Sequence, residues 1–132
     1  MPKLKRVIIG KVGLDGHDRG ALVVAEFLKN SGFEVIYTGL HKTAGEIIRI
    51  AIQEDVSIIG ISILSGSHKI LIGDIINKAR ESGIDGLVVF AGGIIPVQDH
   101  AELTSIGVGK IFTPAGRLQD ISDWLHEVIS ID

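Results

Sequence analysis

The segment Lys11-Val12-Gly13-Leu14-Asp15-Gly16-His17-Asp18-Arg19-Gly20 concentrates the groups with the most chemical potential in the chain. Taken singly, its residues have plain explanations: Asp15 or Asp18 caps a following helix, and the glycines form turns. Capping does not account for the combination of a His two positions after an Asp and a small residue three positions later. Metal ligation by imidazole does. A neutral histidine coordinates through one ring nitrogen while a carboxylate holds its other N–H and fixes the tautomer. Asp15 is near enough in sequence to hold His17 in this way if the turn brings its carboxylate to the ring. Gly20 would let a flat, bulky ligand approach the backbone. Protein metal sites usually need three or four ligands, so a metal met by one histidine must arrive already chelated by a cofactor.

Other polar or glycine-rich segments follow later apolar runs. Ser62-Ile63-Leu64-Ser65-Gly66-Ser67-His68 offers a hydroxyl at Ser62, an apolar wall at Leu64 and a helix cap at Ser67. Ala91-Gly92-Gly93-Ile94-Ile95-Pro96 offers two bare backbone units, which suit either close passage of a ligand or a tight turn. Gly39-Leu40-His41-Lys42 and Thr113-Pro114-Ala115-Gly116-Arg117 complete the set. The segments contain no nucleophile–base pair and no paired carboxylates for acid–base work. They read as a holder for an extended ligand, not a complete reaction centre. His68, His100 and His126 fall on helices or their edges and read as surface or helix-end residues; His41 could touch a ligand or partner.

The elements that must position these segments alternate. Short β-branched runs at 6–10, 34–38, 57–61, 86–91 and 110–113 are each followed by a stretch with helical spacing. Ala21, Val24, Ala25 and Leu28 form one apolar stripe of a helix over 18–30, stopped by Ser31-Gly32. Thr43 with Glu46 is a capping box for a helix striped by Ile47, Ile48, Ala51 and Ile52. Further helices are predicted over 68–81, ending at Ser82-Gly83, from about 96 to before Gly107, and over 118–129. Near-continuous apolar strands between helices imply a parallel sheet covered on both faces. Right-handed crossovers make it a doubly wound α/β fold, flavodoxin-like (Rossmann-like), with strand order 2-1-3-4-5. Ligands then lie beyond the carboxyl ends of the strands, near the switch point between the first and third.

Composition narrows the classes. The 132 residues fit one domain, 1–132, and the hydrophobic fraction of 45% with 22% charged excludes disorder. The absence of Cys excludes a disulfide scaffold and a thiolate site. A net charge of −3 argues against nucleic acid, and 5% aromatics against a base-stacking surface. No apolar run reaches the ~18 residues of a membrane span, and the start lacks a signal-peptide pattern, so a cytoplasmic location is expected. Gly13, Gly16 and Gly20 match neither a P-loop nor a dinucleotide fingerprint. A phospho-acceptor receiver domain shares the fold but needs an Asp after the third strand, where Ile61-Ser62-Ile63-Leu64 stands.

Asp15-x-His17-x-x-Gly20, Ser62-x-Leu64 and Gly92-Gly93, in that order, resemble the signature of cobalamin-binding domains that displace the cofactor's dimethylbenzimidazole. The stretch from Gly13 to Gly20 looks most like the carboxy-terminal domain of methylmalonyl-CoA mutases, and the likeness runs from about residue 3 to 129. The resemblance implies that His17 is the lower ligand to cobalt and that Asp15 hydrogen-bonds its imidazole. It places Asp18, Arg19 and Gly20 under the corrin edge. Ser62, Leu64 and Gly66 would line the slot for the nucleotide tail, with Gly92 and Gly93 letting the tail pass. Phe112 would lie near the benzimidazole and Thr113 beside the tail. One departure stands after the fifth strand: the family often has Gly-Pro-Gly-Thr there, and this chain has Thr113-Pro114-Ala115-Gly116.

The resemblance further implies a cobalamin-binding subunit of an adenosylcobalamin-dependent acyl-CoA mutase, a heteromeric isomerase inactive alone. Its partner would be a large TIM-barrel subunit that binds the acyl-CoA, with no nucleic acid or membrane involved. Methylmalonyl-CoA and succinyl-CoA are the first expectation for its substrates. Sister mutases of isobutyryl-CoA or 2-hydroxyisobutyryl-CoA and a corrinoid carrier of a methyltransferase system are the alternatives.

Overall fold

The computed structural model describes residues 5–11, 19–38, 43–63, 68–84, 86–93, 95, 97–112 and 116–129. Strands and helices alternate throughout: β1 (Lys5–Lys11), α1 (Arg19–Asn30), β2 (Phe33–Tyr37), α2 (Ala44–Glu54), β3 (Ile58–Ile63), α3 (His68–Glu81), β4 (Val88–Gly93), α4 (Val97–Ile106), β5 (Lys110–Phe112) and α5 (Leu118–Ile129). All neighbouring strands pair in parallel in the order β2-β1-β3-β4-β5, as the sequence predicts. The chain leaves β1 toward one edge and returns across it to β3. The ends of β1 and β3 therefore flank the switch point.

Strand alternation sorts the apolar residues into two layers. Ile8, Ile59, Ile61, Val89 and Ala91 pack with residues of α2, α3 and α4. Val7, Ile9, Ile58 and Phe90 pack on the other face with α1 and α5. Ile8, Ile47, Ile59, Ile72, Ile75 and Leu103 are wholly removed from solvent, each stabilising the fold by roughly 1.5–3 kcal/mol. One close approach shapes the second layer. A Cβ on Gly60 would lie 2.4 Å from Phe90 Cζ and 2.9 Å from Ile9 Cδ1, so the Phe90 ring occupies the space a side chain would need.

The helices start and stop for local reasons. Thr43 Oγ1 accepts from the Glu46 N–H at 3.1 Å while Glu46 Oε1 accepts from the Thr43 N–H at 3.1 Å, the predicted capping box. Gly83 and Gly107, at positive φ, follow α3 and α4; Ile84 N–H then reaches the Ala79 carbonyl and Val108 N–H the Leu103 carbonyl, closing each last turn. After α2 the same turn is made by Asp55 at φ 55°, with Val56 N–H on the Ala51 carbonyl at 2.9 Å. At the amino end of the sheet Arg6 joins three elements: its guanidinium donates to the Glu54 carbonyl and pairs with Glu54 at 3.1 Å and Glu34 at 3.5 Å. Among the described residues, no helix is long and apolar enough to cross a membrane.

Candidate functional site

At the carboxyl end of the sheet one register row crosses four strands. Lys11 of β1 pairs with Ser62 of β3, Ser62 with Gly92 of β4, and Gly92 with Phe112 of β5. Alternation puts Ser62, Gly92 and Phe112 on the face that carries Phe90, the face covered by α1 and α5. Residues far apart in sequence thus form one line at the edge where the fold expects a ligand.

This corrects the sequence reading in one respect. Ser62, Gly92 and Gly93 were expected in loops beyond strands ending at 61 and 91; instead β3 runs to Ile63 and β4 to Gly93. The reason is mutual pairing: Ser62↔Gly92 and Ile63↔Gly93 extend the ladder between two strands that each have a neighbour. β4 also starts later than expected, at Val88, because Gly86 at φ 67° belongs to the preceding turn. Gly93 closes β4 at φ 123°, a conformation open mainly to glycine.

Gly92 differs from Gly60 in what surrounds it. Among the described residues, a Cβ on Gly92 would meet only the Phe112 carbonyl oxygen, at an ordinary 3.6 Å. Packing accounts for Gly60 but not for Gly92. Beside this bare backbone stands an aromatic group. Phe90, Phe112 and Trp124 meet edge to face, with centroids 6.0 Å apart for Phe90–Phe112, 5.9 Å for Phe90–Trp124 and 6.0 Å for Phe112–Trp124. Phe90 is buried; Phe112 and Trp124 are half-buried. Ser62, also half-buried, adds a hydroxyl to the same row. A bare strand end, a hydroxyl and partly uncovered rings suit a flat, mostly apolar group carrying a few polar atoms. The described residues therefore fit the nucleotide end of a cobalamin.

Arg19 and Gly20 are the first residues of α1, which begins one position after the expected start. Phe112 ends β5, one residue before the expected end at 113. Asp15, His17, Asp18, Leu64, Gly66 and Thr113 lie outside the described residues, as does His41. His126 has the surface role on α5 expected of it: it is exposed, with its Nδ1 2.8 Å from the Ser122 carbonyl and its ring 4.8 Å from that of Phe33. His100 has a more specific one, which sequence reasoning missed. Its Nε2–H donates at 3.1 Å to the carbonyl of Ile95, just beyond the double glycine. The available signal was a histidine on the first turn of the helix that follows that glycine pair.

The comparisons agree with this geometry. The B12 binding domain model matches residues 5–118. The chain is 42% identical over 125 residues to the 2-hydroxyisobutanoyl-CoA mutase small subunit of Aquincola tertiaricarbonis, covering 95% of this chain and 92% of that one. It is 40% identical over 115 residues to the methylmalonyl-CoA mutase of Escherichia coli, where the match covers 87% of this chain but only 16% of the relative. Among solved structures, a cobalamin-binding protein from Desulfitobacterium hafniense superposes with a TM-score of 0.82 at 18% identity, covering 96% of this chain and 60% of that one, a likeness of fold. The chain belongs to the B12-binding domain family.

Proposed function

We propose that this chain is the cobalamin-binding subunit of an adenosylcobalamin-dependent acyl-CoA mutase and works with a separate large, TIM-barrel subunit that holds the acyl-CoA. The observation that carries this reading is the nearly end-to-end match to a mutase small subunit. The same domain also matches a short part of a much longer mutase chain, which supports a division of labour between a cofactor module and a substrate module. Two substrate readings stand side by side. Methylmalonyl-CoA and succinyl-CoA follow from the likeness to methylmalonyl-CoA mutase. The 2-hydroxyisobutyryl-CoA alternative is supported equally by the near-full-length relative. Substrate choice belongs to the partner.

Within this reading His17 would ligate the cobalt and Asp15 would hold its other ring N–H. That arrangement fixes the tautomer and raises the basicity of the ligand. Asp18, Arg19 and Gly20 would lie at the corrin edge. Ser62, Leu64 and Gly66 would line the slot for the displaced tail, Gly92 and Gly93 would leave it room, Phe112 would stand near the base and Thr113 beside the tail. When bound, the cofactor supplies a radical by cleavage of its cobalt–carbon bond; this chain supplies binding, orientation and tuning of the metal.

The test is electron paramagnetic resonance of the cobalt(II) form bound to protein labelled with nitrogen-15 histidine. A histidine ligand converts the axial nitrogen triplet to a doublet, and His17→Ala abolishes that doublet. A triplet unaffected by the label shows that the cofactor keeps its own benzimidazole on cobalt and rejects the assignment.

A further inference from the structure

Beyond the two glycines that end β4 the chain is fastened at Ile95. Gly92 and Gly93 carry no side chains with which to grip the core, and their backbone has wide conformational freedom. Two fastenings follow them. The Ile95 side chain is buried, 5% exposed, in the same core as Leu103 of α4. The Ile95 carbonyl accepts the hydrogen bond from His100 Nε2 at 3.1 Å. Because a carbonyl oxygen can only accept, the ring bears its proton on Nε2. Ile95 precedes Val97, the first residue of α4, so its carbonyl lies outside that helix's own ladder. The His100 ring, half-buried on the first turn of α4, supplies a donor to it.

We infer that His100 is a positioning residue for the nucleotide tail of the cofactor: through Ile95 it braces the Gly92–Gly93 strand end so that the bare backbone keeps its place beside the slot. The inference rests on the cobalamin reading above. It assigns His100 no contact with cobalt or corrin. Its effect is therefore confined to corrinoids that carry a tail.

Spectrophotometric titration with hydroxocobalamin and with aquacobinamide, which has the corrin but no nucleotide tail, separates the possibilities. His100→Ala, favourable within a helix, should bind hydroxocobalamin roughly two- to tenfold more weakly, the loss expected for one hydrogen bond. It should bind aquacobinamide like the native chain. His100→Gln keeps an N–H donor of similar reach and should restore native affinity for hydroxocobalamin. Three results overturn the inference: an Ala variant that binds hydroxocobalamin like the native chain, one that loses both corrinoids equally, or a Gln variant that fails to rescue. Failure of the native chain to bind hydroxocobalamin instead overturns the cobalamin reading beneath it.

Discussion

Two glycines on one face of the sheet carry opposite meanings. At Gly60 an added methyl meets the Phe90 ring at 2.4 and 2.6 Å, and that ring is 3% exposed and wedged between Phe112 and Trp124. Gly60→Ala should cost about 2 kcal/mol, because the ring has nowhere to retreat. At Gly92 the methyl meets ordinary contact only, and the backbone is extended strand. Gly92→Ala should leave stability within about 0.5 kcal/mol of native, since no overlap or strain is introduced. The same methyl projects toward the proposed slot, so Gly92→Ala should weaken hydroxocobalamin binding at least about tenfold, a loss of roughly 1.4 kcal/mol. Urea unfolding together with a cobalamin titration checks both variants. A Gly92→Ala chain that is as stable as native and binds as tightly would show that Gly92 does not touch the tail.

At the scale of elements, α5 is tied down at its first turn by charge. The Arg117 N–H donates to Asp120 Oδ2 at 3.2 Å, and Arg117 Nη2 donates to Oδ1 at 3.1 Å. The backbone N–H first, and the guanidinium second, hold the Asp120 carboxyl below its ordinary value of 3.8. A group whose folded value is depressed stabilises the fold fully above its unfolded value and loses that contribution as pH falls through the folded one. The Asp120 carboxylate therefore supports α5 above pH 3.8 and ceases to do so in stronger acid. Asp120→Asn should be less stable than the native chain at neutral pH, with the difference closing as pH drops below that value. Both are exposed residues, so the difference is small. Urea unfolding followed through Trp124, the only tryptophan and itself on α5, reads it directly. A gap that stays constant down to the acid limit would remove the carboxylate from the account.

At the scale of the whole molecule, all ten described elements are committed to one sheet and its two covering layers. A TIM barrel typically needs ~250 residues, more than the 132 of this chain. If the proposed division of labour holds, this chain supplied with adenosylcobalamin and acyl-CoA should show no turnover. A mutase large subunit lacking its own cofactor domain should restore it, and a coupled assay of CoA-ester isomerisation decides the matter. Turnover by this chain alone would refute the division. The chain's similarity to a short part of one mutase and to nearly all of a small subunit makes this the informative experiment.

Much of the molecule was legible before any coordinates because the relevant forces are local. The Val24, Ala25 and Leu28 part of the α1 stripe, the Thr43–Glu46 box of α2 and the glycine stops after α1 and α3 depend on neighbours a few positions away, and all stand as read. The doubly wound class followed from alternation and crossover handedness, rules that need no side-chain detail, and the flavodoxin-like order expected for five strands is the one observed. The motif spacing likewise pointed to a corrinoid, and the family match agrees with it. Register was another matter. Nothing within 57–63 or 86–93 says that Ser62 pairs with Gly92 and prolongs both strands; that depends on the partner backbone alongside. Likewise, only the folded chain distinguishes a glycine filled by the Phe90 ring from one left open, or brings the His100 ring to the Ile95 carbonyl. Periodicity is a property of one segment, whereas free space and long-range hydrogen bonds are properties of several segments brought together.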